Sequence, residues 1–86
     1  MLTWFLLAGR EPEKIVDTFN QFYKNHQFPR GTALWKWKNS YWICSTEDYK
    51  HNMIHEFEEF RIIEFSSAPS PGDLEFLAGD NNALTV

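Results

Sequence analysis

An α+β sandwich is predicted for this 86-residue chain by three features. Four short runs are rich in aromatic and β-branched residues, and two stretches repeat apolar residues at helical spacing. The two kinds alternate in the order β-α-β-β-α-β. Right-handed crossovers then set the first strand between the third and the fourth. The expected antiparallel sheet has the order 4-1-3-2, with both helices on one face.

Each element follows from its residues. Leu2-Thr3-Trp4-Phe5-Leu6-Leu7-Ala8 is apolar on both faces, the mark of a central strand. Gly9 breaks it, and Pro12 opens a helix in whose first turn Glu11 and Glu13 meet the positive end of the dipole. Ile15, Val16, Phe19, Phe22, Tyr23 and His26 share one side of that helix, and polar residues hold the other. After the loop Phe28-Pro29-Arg30-Gly31, Thr32 to Lys38 and Tyr41 to Ser45 form a hairpin about Asn39-Ser40. Pairing Lys38 with Tyr41 sets Trp37 opposite Trp42 and Trp35 opposite Cys44. One face of the hairpin then carries Ala33, Trp35, Trp37, Trp42 and Cys44, and the other Leu34, Lys36, Lys38, Tyr41 and Ile43. The tryptophan face is expected against the helices.

Ser45 and Asp48 are spaced as a variant capping box for a second helix, with Tyr49, Met53, Ile54, Phe57 and Phe60 as its apolar stripe. Arg61-Ile62-Ile63-Glu64-Phe65 reads as the fourth strand. Ser66 to Gly72 has linker composition, so the domain is expected over residues 1–68, with a partly ordered linker and tail over 69–86. A strand–helix–strand unit repeated about a central hairpin is the pattern of a ferredoxin-like domain.

Composition narrows the function classes. Cys44 is the single cysteine, which excludes an intramolecular disulfide and the multi-cysteine zinc sites. Stability must come from packing, for which fifteen aromatic residues supply large apolar areas. The apolar start is too short and lacks the basic flank of a targeting signal, and no run reaches membrane-spanning length. A reducing compartment, most simply the cytoplasm, is the expectation. Residues 1–46 carry a net +3 and residues 47–86 a net −7, an acidic balance that disfavours non-specific attraction to nucleic acid.

Catalytic and cofactor signatures are lacking. His51, His55 and Glu58 fall on one helical face at i, i+4 and i+7, but that face is the solvated one, and no metal is assigned. Cys44 is expected to be a buried, inert thiol and His26 a packed or half-exposed helix-end residue rather than a base. No carboxylate pair, phosphate-cradling glycine loop or nucleophile elbow is present, so an enzyme is not expected. No cofactor is implied.

The β-α-β-β-α-β order and aromatic strands resemble the RNA-recognition-motif family in architecture. That resemblance implies stacking of bases on Thr3 to Ala8 and Tyr41 to Ser45, although the latter lacks the family's glycine-aromatic signature. The expected function is a non-enzymatic interaction protein that binds, and inhibits, another protein. Its docking surface is expected on the helix-free face and the acidic helix: Leu34, Lys36, Lys38, Tyr41, Ile43, Glu58 and Glu59. In one variant Glu47, Asp48, Glu56, Glu58, Glu59 and Glu64 imitate nucleic-acid phosphates. The alternatives are single-stranded RNA or DNA binding on the open sheet, and a self-associating homodimer. Three covers for the helix-free face are open: the chain's own tail with Leu74, Phe76 and Leu77, a second copy, or another macromolecule. The ending Leu84-Thr85-Val86 has the form of a carboxyl-terminal peptide ligand, a form common by chance.

Overall fold

Strand β1 (Leu2–Ala8) leads into helix α1 (Glu13–Lys24), the hairpin β2 (Ala33–Trp37) and β3 (Ser40–Thr46), helix α2 (Lys50–Glu56), β4 (Arg61–Phe65) and β5 (Glu75–Gly79). A computed structural model describes residues 2–85. The strands form one antiparallel sheet in the order β4-β1-β3-β2-β5. The expected order 4-1-3-2 is present, but the strand count is corrected from four to five. The extra strand comes from the segment after the Ser/Pro linker and pairs along the outer edge of β2.

Both helices pack on one face. Phe5 and Leu7 of β1, Leu34 of β2 and Ile43 of β3 meet Ile15 and Phe19 of α1 and Met53 and Phe57, all almost fully buried. Helix α1 follows its expected stripe as far as Phe22, but Tyr23 is largely exposed and His26 lies beyond the helix. His26 takes a left-handed φ of 57° and closes α1: its N–H donates to Tyr23 O, and Gln27 N–H donates to Phe22 O. It is thus a capping residue rather than a packed one. Helix α2 is shorter than its stripe implied. Ser45 ends up inside β3 with its hydroxyl bonded to Thr32 Oγ1 at 2.7 Å, so the expected capping box does not form. Ile54, expected in the stripe, is 48% exposed.

The hairpin faces are also corrected. The residues share faces as their alternation predicts, but Leu34, Tyr41 and Ile43 point to the helices. The tryptophan face is the one without helices. The register differs by two residues: Trp35 pairs with Trp42 and Ala33 with Cys44, because the turn is Lys38-Asn39 rather than Asn39-Ser40. Lys38 takes a φ of 55° there, and Ser40 Oγ donates to Trp37 O at 2.7 Å. A slip of two preserves the period of a strand, so every side chain keeps its companions.

The chain's own final segment covers the tryptophan face. Trp4, Trp35 and Trp42 are about 5–6% exposed and form a second core with Ala33, Cys44 and Ala83, against which Ala68 and Leu74 also pack. Phe76 of β5 meets Trp35 edge-on with ring centres 5.4 Å apart. Asp80 anchors this cover. Its N–H donates to Thr32 O and its carboxylate accepts from the backbone N–H of Gly31 and of Asn82. Its carbonyl accepts from Ala83 N–H.

Gly79 lets β5 come close enough. At φ 101° it has a conformation that side-chain-bearing residues rarely adopt, and a Cβ would lie 2.7 Å from Ala33 Cα and Thr32 O. Neither neighbour is a flexible side-chain end. Backbone strain and overpacking each cost about 1–3 kcal/mol, so Gly79→Ala is expected to destabilise the fold by roughly 2–5 kcal/mol. Chemical denaturation checks this, and a change below about 0.5 kcal/mol, the ordinary scatter of surface substitutions, would contradict the close approach.

Candidate interaction surface

The residues expected to meet a partner are scattered. Leu34 and Ile43 are fully buried under the helices and present nothing to the outside. Tyr41 packs against the same core with Lys36 Nζ 6.0 Å from its ring centre. Lys38, at the hairpin tip, holds its ammonium 4.8 Å from the Trp37 ring centre. Glu58 and Glu59 are exposed in the turn after α2. They border a cleft of about 450 Å³ whose other walls include Gly9, Arg10, Lys14, Phe60 and Arg61. Charges of both signs alternate around this cleft, and Lys14 is already paired with Glu11 at 2.7 Å.

Groups with chemical potential are quiet. Cys44 is fully buried, and burial pushes its thiol up, with the Trp35 indole N–H donating to Sγ at 3.2 Å as the main opposing effect. His51 and His55 are exposed. Among the described residues no three histidine, cysteine or acidic side chains converge as metal ligands, and no helix is long and apolar enough to cross a membrane. Val86, the end of the carboxyl-terminal motif, lies outside the described residues.

One part-buried polar link ties α2 to the loop after α1. Tyr49 Oη lies 2.8 Å from Gln27 O and 2.7 and 2.9 Å from the two Glu56 carboxylate oxygens. Burial, then the bond to Glu56, holds the phenol well above its usual range. Burial also raises Glu56, against the lowering effect of the Tyr49 hydroxyl. A single phenol proton serves two acceptors here. With Glu56 protonated, its own hydroxyl donates to Tyr49 Oη and frees the phenol proton for Gln27 O.

Two exposed apolar side chains share one sheet face with an open backbone on the edge strand β4, and one, Phe76, does so on the other edge strand β5. The inner side of β4 pairs with β1, Leu6 opposite Ile63 and Trp4 opposite Phe65. No described strand pairs with its outer side. Ile62 turns to the helix-side core, while Phe65 meets Trp42 on the helix-free face with ring centres 5.1 Å apart. Ile63, by alternation, stands beside Phe65, and the two are 52% and 40% exposed. Glu64 faces the helix side and pairs with Lys50 at 3.3 Å, both side chains being partly exposed. A smaller cleft at the end of β4 is lined by Leu2, Thr3, Glu47, Glu64, Phe65 and Ser66. From its residues β4 reads only as a fourth strand, with no docking role. The signal for one was present in adjacent Ile62 and Ile63, of which only one can face the helices.

No known family profile, curated protein or solved structure matches the chain.

Two outcomes follow from these environments. The raised Glu56 binds a proton more tightly folded than unfolded. Its contribution is therefore complete below the unfolded value near 4.5 and is lost as pH rises through the higher folded value. Denaturation midpoints between pH 4 and 7 are expected to fall less steeply for Glu56→Gln than for wild type, and parallel curves would contradict this. Cys44 is expected to resist a thiol reagent in the native state and react promptly in denaturant. Native labelling as fast as a free thiol would show that the second core is open.

Proposed function

We propose that this chain is a non-enzymatic interaction protein, a ferredoxin-like core with one added strand, which binds an extended segment of another protein along β4. By occupying that segment it inhibits the protein to which the segment belongs. The unpaired outer side of β4 carries this reading, because its backbone N–H and C=O groups stand beside exposed Ile63 and Phe65. Such an edge is a template for strand addition, where main-chain bonds give affinity and alternate side chains give specificity. β4 contains neither proline, lysine nor a bulge, and the devices that blunt it are its five-residue length and the charges of Arg61 and Glu64. β5, the other edge, is bulged where Leu34 pairs with Ala78 and Trp35 with Phe76, and it ends at the left-handed Gly79.

The rival reading, stacking of single-stranded nucleic acid on the sheet, needs bare aromatic faces. Trp4 and Trp42 of β1 and β3 lie instead beneath the final segment. Charge mimicry by the acidic residues draws less support than strand addition, since Glu56 is engaged by Tyr49.

Ile63→Lys places a charge on the edge outside both cores, and Phe65→Lys places one there while removing the ring contact with Trp42. Proteins captured by wild type from the native lysate are expected to be lost from both variants, provided circular dichroism shows both folded. Capture that is the same with all three baits would remove β4 from the account. Fluorescence-anisotropy titrations with single-stranded RNA and DNA are expected to show no binding at micromolar protein. A titration abolished by Lys38→Ala would favour the rival.

A further inference from the structure

Resting on the strand-addition reading, we infer that the segment received by β4 is cationic and alternates basic with apolar residues. Its apolar side chains lie over Ile63 and Phe65, and its basic ones lie on the helix side beside Glu64 and Glu47. The alternation is dictated by the edge. Neighbouring strands set side chains of opposed residues on the same face, about 5 Å apart. On the helix-free face an arriving strand therefore meets Ile63 and Phe65, backed by Trp42, with exposed Arg61 at the start of the same row. On the helix face it meets Glu64, with Glu47 across the small cleft at the end of β4.

The sign of the charge is equally constrained. Residues 47–65 hold six carboxylates against the two bases Lys50 and Arg61, so this stretch alone carries −4. Glu47 and Glu64 line the cleft at the far end of β4, which has no base in its walls, whereas at the near end Arg10, Lys14 and Arg61 balance Glu11, Glu58 and Glu59. Glu64 is held only by a partly exposed pair at 3.3 Å, the kind worth about 1 kcal/mol or less, so an incoming base can share it at little cost. A second copy of the chain suits the edge poorly. It would bring its own net −4 to an already acidic chain.

The test uses the full chain, isotope-labelled, and three capped peptides of roughly seven residues that alternate Val with Lys, Glu or Thr, a length that spans an ordinary strand. Amide shifts and hydrogen exchange at residues 61–65 are followed at low salt. The Lys peptide is expected to slow exchange of alternate β4 amides, and its binding to weaken at least about fivefold between 0.02 and 0.3 M salt. Glu59→Lys/Glu64→Lys, both exposed positions, is expected to reverse the preference toward the Glu peptide. Equal protection of β4 by all three peptides would overturn the charge inference while leaving strand addition in place. Lys-peptide shifts confined to α2, with β4 exchange unchanged, would likewise overturn the inference. No β4 protection with any peptide would overturn both readings. A dimer by light scattering, with β4 amides already protected, would replace the cationic segment with a second copy.

Discussion

Three central strands that are apolar on both faces impose the main constraint on this structure. β1, β3 and β2 present Phe5, Leu7, Leu34 and Ile43 on one side and Trp4, Trp35, Trp42 and Cys44 on the other. Two short helices cover only the first side. The second must also be withdrawn from water, since bare tryptophan area of this size costs several kcal/mol. The linker and the turn at Asp80 do this with the chain's own residues. The sheet is therefore a middle layer, with helices on one side and a thin cover of linker and C-terminal turn, through Ala68, Leu74 and Ala83, on the other.

Much of this was legible in the residues. The alternation of Trp35, Trp37 and Trp42 against Leu34, Tyr41 and Ile43 sorted the hairpin into two faces, and the order of elements placed β1 between β3 and β4. Alternation alone does not say which face meets the helices. The tryptophans were expected there because large aromatic residues signal a core, and they do line one, but it is the second core. Leu34 and Ile43 looked available for docking for the complementary reason. β5 was hidden by its composition. Glu75 to Gly79 follows a Ser/Pro-rich linker and contains Ala78 and Gly79, residues with little strand preference, so its pairing depends on the tertiary contact of Gly79 with Ala33.

The same closure redirects the functional reading. A sheet face that looked free is sealed, which draws attention from its tryptophans to the sheet's edge at β4. At β4 the backbone is unpaired, Ile63 and Phe65 are exposed and carboxylates stand at both ends. Of the residues expected from sequence at a docking surface, Glu58 and Glu59 lie next to this edge, whereas Lys36, Lys38 and Tyr41 belong to the hairpin on the far side of β1. Acidic composition and exposed apolar area, noted separately along the chain, thus meet at one strand.

Acrylamide quenching of the intrinsic fluorescence of the full chain probes the seal most directly, because three of its four tryptophans contribute to the covered face as nearly buried residues. Native protein should emit mainly from protected indoles and respond weakly to quencher, with full response only after unfolding. Quenching of the native chain as steep as that of free indole would mean the aromatic layer is bare, and the account of a two-sided core would fail.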